Sequence, residues 1–108
     1  IVFARTGATV GKSFFITDLP YASVYASYLI RIRLMSGISP NYVYQFFNSN
    51  CYWDQVTSKA VGVGQPNCNG TSLKGLFVPL PSKTEQQRIA NKVAELFESL
   101  SCVEENLN

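Results

Sequence analysis

Leu76-Phe77-Val78-Pro79-Leu80-Pro81-Ser82-Lys83-Thr84-Glu85-Gln86-Gln87-Arg88-Ile89 is the stretch that decides the fold. Its first three residues are apolar and strand-like. Pro79 and Pro81 keep the connection extended, because a proline disfavours helix in the residue before it. A helix then starts in one of two ways: Ser82 with Glu85 makes one capping box, and Thr84 with Gln87 makes another. Beyond it, Ile89, Val93, Leu96, Leu100, Val103 and Leu107 recur in alternating steps of four and three. That is the heptad seam of a helix packed against another helix. The spacing predicts a long C-terminal helix of coiled-coil type that acts as a strut. It leaves function to the globular part before it.

Working outward, Ile1-Val2-Phe3-Ala4-Arg5 reads as a strand and Lys12-Ser13-Phe14-Phe15-Ile16-Thr17 as its hairpin partner. Between them, Gly7 and Gly11 bracket a turn and supply positive φ. Ala26 to Leu34 alternates, with Tyr28, Ile30, Ile32 and Leu34 on one face and Leu29, Arg31 and Arg33 on the other. This is the best strand pattern in the chain. Ser39 is a good N-cap with Pro40 at the first helical position. Tyr42, Val43, Phe46, Phe47 and Trp53 extend that helix to the high fifties. Val61 to Thr71 is rich in Gly and Asn and reads as a loop. Ser72 to Val78 reads as a further strand. The fold class expected is α+β: a small mixed or antiparallel sheet, a packing helix at 40–58, and the long helix. The domain division expected is 1–81 and 82–108.

Composition removes much chemistry. The chain has 108 residues, enough for one modest core. Its formal net charge of +2 is too mild to argue a polyanion by itself. There is no histidine, which removes Ser-His-Asp and Cys-His catalysis and the usual zinc ligands. The acids are Asp18, Asp54 and glutamates confined to the terminal helix, a poor set for a paired-carboxylate site. Cys51, Cys68 and Cys102 are odd in number and widely spaced, as expected of reduced cysteines in a cytoplasmic protein. No catalytic residue, metal ligand or membrane span is expected. An independent enzyme would need chemistry from a cysteine or lysine without a histidine partner. Ile1 opens directly into a strand-like run, as expected of a piece of a longer protein.

Gly7-Ala8-Thr9-Val10-Gly11-Lys12-Ser13 imitates a phosphate-binding loop but is one residue short. The lysine of such a loop opens a helix whose amides hold phosphate. Here Phe14-Phe15-Ile16-Thr17 follows and favours a strand.

Three segments carry a resemblance. They are Arg5-Thr6-Gly7 through Val10-Gly11-Lys12, then Gly64-Gln65-Pro66-Asn67-Cys68-Asn69, then Val78-Pro79-Leu80-Pro81 with Glu85-Gln86-Gln87-Arg88-Ile89. In this order and spacing they resemble the specificity subunit of type I restriction-modification systems. The Ala26 to Arg31 strand and the Ser39-Pro40-Asn41-Tyr42 helix start also fit. The resemblance covers nearly the whole chain, and the ordered combination is more specific than any one motif. Cys68 departs from it, an aliphatic residue being commoner there. The resemblance implies the later part of one target-recognition domain plus its spacer helix. It implies double-stranded DNA as ligand, with separate methyltransferase and restriction subunits as partners. S-adenosylmethionine, Mg²⁺ and ATP would belong to those subunits and not to this chain. A second spacer helix, in the same or another chain, would cover the seam. The rivals are a pure assembly module and a recognition domain fused to its own methyltransferase.

Candidate DNA contacts follow. Gln65, Asn67 and Asn69 can pair bidentately with adenine. They can equally cap their own loop, and the resemblance favours that, since the segment recurs among members that read different sequences. Arg31 and Arg33 share a polar strand face suited to phosphate or to solvent. Lys59, near a helix end, and Lys74, beside the polar loop, form a candidate phosphate clamp, although a lysine there also suits the helix dipole. Arg5 and Lys12 flank the hairpin turn. Tyr21, Tyr25, Tyr42, Tyr44 and Tyr52 divide between core and a DNA-facing position.

Overall fold

The computed structural model describes residues 1–16, 24, 27–59 and 68–107. Strand β1 (Val2–Ala4) is the middle of a three-stranded sheet. Strands β2 (Ser13–Phe14) and β3 (Leu29–Arg31) flank it, both antiparallel. Phe3 faces Ser13 on one side and Ile30 on the other, and its side chain is fully buried. The hairpin turn holds a 3-10 turn at Gly7–Thr9. Gly7 and Gly11 take φ of +81° and +90°, so the glycines do the conformational work expected of them. Lys12 leads into a strand and opens no helix, which disposes of the imitation phosphate loop.

The 40–58 helix is two helices. Helix α1 (Pro40–Phe47) starts at Ser39, whose hydroxyl accepts the Tyr42 N–H. It stops at Asn48 because Ser49 begins again: the Ser49 hydroxyl donates to the Phe46 carbonyl and accepts the Tyr52 N–H. Helix α2 (Asn50–Lys59) follows. A serine that caps a new helix in mid-run outweighs the apolar periodicity around it. Tyr42, Val43, Phe46 and Phe47 of α1 meet Tyr52 and Val56 of α2 in one core with Phe3. Tyr52 stacks on Phe47 with ring centroids 4.7 Å apart, and its hydroxyl donates to the Gly11 carbonyl at 2.5 Å. A β-carbon on Gly11 would lie 2.6 Å from the Trp53 ring, so the hairpin turn and α2 are fitted to each other.

The predicted strand at 72–78 is corrected to a short helix and a strap. Helix α3 (Gly70–Lys74) is capped by Asn69, whose side-chain oxygen accepts the Ser72 N–H at 2.9 Å. Residues 76–82 form no regular element and pair with no strand among the described residues. Three side chains hold them instead. Gln55 of α2 accepts the Phe77 N–H and donates to the Phe77 carbonyl, at 2.7 and 2.9 Å. Tyr42 of α1 donates to the Pro79 carbonyl at 2.5 Å. Gln86 donates to the Pro81 carbonyl at 2.9 Å. A glutamine amide offers the donor and acceptor that a neighbouring strand would.

Helix α4 (Lys83–Leu107) is the long C-terminal helix. Ser82 caps it through the Glu85 N–H, the first of the two expected starts, but the box is not closed: the Glu85 carboxylate accepts from Arg88 instead. At 1.5 Å per residue it runs about 37 Å. Gln86 and Ala90 are its buried residues, and they sit against α1. The architecture is α+β, and the sheet is purely antiparallel among the described residues.

Candidate nucleic-acid interface

The alternation around β3 decides where charge is displayed. Ile30, Ile32 and Leu34 pack against the core, and Arg31 and Arg33 between them are exposed. Tyr28, expected on the inner face, is exposed. Helix α3 and the strap lie across from this segment. Between them runs an apolar groove floored by Val43, Phe47, Leu73 and Leu76. Arg31, Arg33 and Lys74 stand around it, and no acidic residue lines it among the described residues. Three cations that the chain separates by up to 43 positions are therefore brought to one surface.

Lys59 reaches the end of α3, next to this groove. Its ammonium nitrogen would lie 3.3 Å from a β-carbon on Gly75, the residue that ends α3, and the Ser72 carbonyl lies 3.4 Å from the same point. The positive charge thus sits at the carbonyl end of α3, where a helix favours it. Lys59 also acts on Cys68. Burial pushes the Cys68 thiol up from its ordinary range, and the Lys59 charge partly offsets that. Cys68 is fully buried, and its N–H donates to the Arg5 carbonyl at 2.7 Å.

Arg5 sits where β1 ends, tied through its backbone to Tyr28 and Cys68. Its side-chain Nε is buried without a hydrogen-bond partner among the described residues. Lys12 is exposed on the hairpin. Asn69 is exposed and spends its side-chain oxygen on the α3 cap. Gln65 and Asn67 lie outside the described residues, as do Tyr21 and Tyr25. Tyr42 and Tyr52 are core residues, and the Tyr44 ring lies 5.9 Å from that of Phe15.

Charge is divided along the chain. Residues 1–81 hold six Lys and Arg against two Asp, a net of +4; residues 82–108 hold three against five Glu, a net of −2. The mild overall charge conceals a basic body and an acidic helix. A whole-chain charge is a weak guide to partners where such division exists.

A family model for the type I restriction modification DNA specificity domain matches residues 1–108. The chain belongs to this family. Within the specificity family, it is 32% identical over 89 residues to the type I restriction enzyme StySPI specificity subunit of Salmonella potsdam. That match covers 82% of this chain and 19% of the relative, so the chain spans about a fifth of its length. No solved structure matches.

The second surface of this specificity domain is the seam. Ile89 packs against its own core and Val93 is half-buried. Leu96, Leu100, Val103 and Leu107 are 54%, 58%, 55% and 79% exposed, and Phe97 beside them is 58% exposed. A contiguous stripe of this size is unusual on a free surface. The seam therefore divides: Ile89 belongs to the domain, Val93 is half-buried, and the members from Leu96 onward are exposed. No helix among the described residues is long and apolar enough to cross a membrane, and no cluster there could hold a metal ion.

Sequence reasoning passed over Gln55 and Gln86. Gln86 was nonetheless legible as an anomaly. It stands three residues before Ile89, in register with the seam, where an apolar residue belongs.

Proposed function

We propose that residues 1–81 form part of a target-recognition domain that binds double-stranded DNA sequence-specifically, and that residues 82–108 are its spacer helix. The chain is non-catalytic. It directs separate methyltransferase and restriction subunits to a bipartite site in the cytoplasm. S-adenosylmethionine, Mg²⁺ and ATP serve those subunits. The observation that carries this reading is the placement of Arg31, Arg33 and Lys74 around one acid-free groove in a member of the specificity family. Cations so placed contact phosphates and fix register, while base reading falls to the neighbouring loops. Gln65, Asn67 and Asn69 supply one such loop. Arg5 and Lys12 lie at the hairpin turn, and Lys59 reinforces the positive field.

A second reading has its own observation. The exposed stripe from Leu96 to Leu107 supports an assembly module whose helix pairs and whose domain binds nothing. Selection from a random duplex pool distinguishes the two, using the full-length subunit with its methyltransferase at moderate salt. Enrichment of a split motif with a fixed gap supports recognition. Binding that is absent or indifferent to sequence refutes it and leaves assembly.

A further inference from the structure

Gln86 is the least expected buried side chain in the molecule. It is 1% exposed, on a helix that is otherwise largely in solvent. Its side-chain oxygen accepts the Ser39 N–H at 2.8 Å, at the start of α1. Its nitrogen donates to the Pro81 carbonyl at 2.9 Å and to the Gly37 carbonyl at 3.4 Å. One amide thus joins three segments: the turn before α1, the end of the strap, and the first turns of α4. The Ser39 N–H has no helical partner of its own, so Gln86 satisfies a donor that burial would otherwise leave unmet.

An apolar residue would suit a helix that merely packs. A polar residue at a seam position is a device for fixing geometry at some cost in stability. Here it acts at the root of a lever. From Gln86 to Leu107 the helix rises about 32 Å, so a tilt of 10° at the root moves the tip by about 5–6 Å. DNA rises about 3.4 Å per base pair on each strand, so that movement corresponds to one or two base pairs.

We propose that Gln86 is a positioning residue that sets the angle at which α4 leaves the recognition domain, and through it the permitted gap between DNA half-sites. The second clause rests on the function proposed above; the first does not. The strap supports the same angle. Gln55 and Tyr42 hold Phe77 and Pro79, so the segment entering α4 is fixed from α2, α1 and α4 in turn.

The test uses spin labels at Thr57→Cys on α2 and at native Cys102 on α4, in a Cys51→Ser background; Cys68 is buried and stays unlabelled. The distance distribution is measured in the full chain. Wild type should give one narrow distance. Gln86→Met, similar in length but without the amide, should raise the population of other distances by about ten- to a hundredfold, the range for stranding a buried donor. The exposed neighbour variant Gln87→Met should match wild type. Near-UV circular dichroism of the Phe47–Tyr52–Trp53 cluster checks that the domain is folded.

In the same variants, assembled with the methyltransferase, Gln86→Met should bind sites with gaps one base pair longer or shorter as well as the preferred site. A broad wild-type distribution overturns the proposal whether or not the variant folds. So does a folded Gln86→Met with wild-type distances, or one with wild-type gap preference. Distances that respond as expected in a wild type that shows no sequence-dependent DNA binding refute the recognition function, and with it the half-site role.

Discussion

Salt dependence offers a quantitative test of the basic surface. Arg31, Arg33 and Lys74 line the groove, and the Lys59 ammonium lies beside Gly75 at the end of α3. Each phosphate neutralised on duplex DNA contributes about −0.9 to the slope of log affinity against log salt. Four contacts give a slope of about −3.6, so raising salt from about 50 to 200 mM weakens binding by roughly 150-fold. Changing Lys74 to Gln removes one contact, and the same salt step should then cost only about 40-fold. Changing Lys59 and Lys74 together should bring it to about 12-fold. The assay is fluorescence anisotropy on the assembled full-length subunit, with its target and an unrelated duplex at four or more salt concentrations. Lys74 and Lys59 should weaken both duplexes alike. If the double variant keeps the wild-type slope, the phosphate assignment is wrong. If it loses only the target sequence, these lysines read bases.

Other perturbations test the scaffold. Replacing Leu96 and Leu100 with Glu should abolish pairing through the exposed stripe while circular dichroism of the globular part holds; an unchanged mass by light scattering would reject the seam. Tyr52→Phe should lose about 1–2 kcal/mol in urea unfolding with an unchanged m-value, because the stack on Phe47 survives and the Gly11 carbonyl loses its donor. Gly11→Ala should be worse, about 2–4 kcal/mol, since a β-carbon meets Trp53 at a positive φ; a melt within experimental error of wild type would contradict both. Arg88 donates two hydrogen bonds to Glu85, which holds the Glu85 carboxyl below its ordinary range. The unfolded state then binds the proton more readily, so this contribution is present above the unfolded value and is lost as pH falls through the folded one. Protection factors of amides in the first turn of α4, corrected for the intrinsic pH dependence of exchange, should fall on acidification in wild type and lose that fall in Glu85→Gln.

Much of this was legible in the residues, for local reasons. Gly7 and Gly11 announce a turn because other residues resist that backbone. Ser39-Pro40 and Ser82 announce helix starts because their side chains complete the first turn. The alternation from Ile30 to Leu34 separates a packed face from Arg31 and Arg33 without reference to any partner. The failures arise where one local signal overrode another. Asn48-Ser49-Asn50 sits within a helical periodicity, and a capping serine restarts the helix there. Leu76-Phe77-Val78 has strand composition, but the strap it opens is held by glutamine and tyrosine side chains from helices. No periodicity announces that. The convergence of Arg31, Arg33 and Lys74 was likewise invisible, since it depends on α3 lying across from β3.

The division of charge gives these parts a common logic. The net of +4 lies in residues 1–81, and the helix that follows carries −2, with Glu95, Glu98, Glu104 and Glu105 toward its far end. A polyanion attracts the first and repels the second. The fields of the two parts therefore favour an approach in which the body meets DNA and the strut stands clear of the phosphates. Steering alone would leave the strut free to swing, because exposed charges are screened within about 8 Å at physiological salt. Under the proposed function, a fixed gap between half-sites needs a rigid root as well. The amide of Gln86, bonded to Ser39 and the strap, supplies one at the base of the helix, well before the acidic run from Glu95 to Glu105. An apolar contact there would permit sliding and rotation, whereas hydrogen bonds to Ser39 and Pro81 select one orientation.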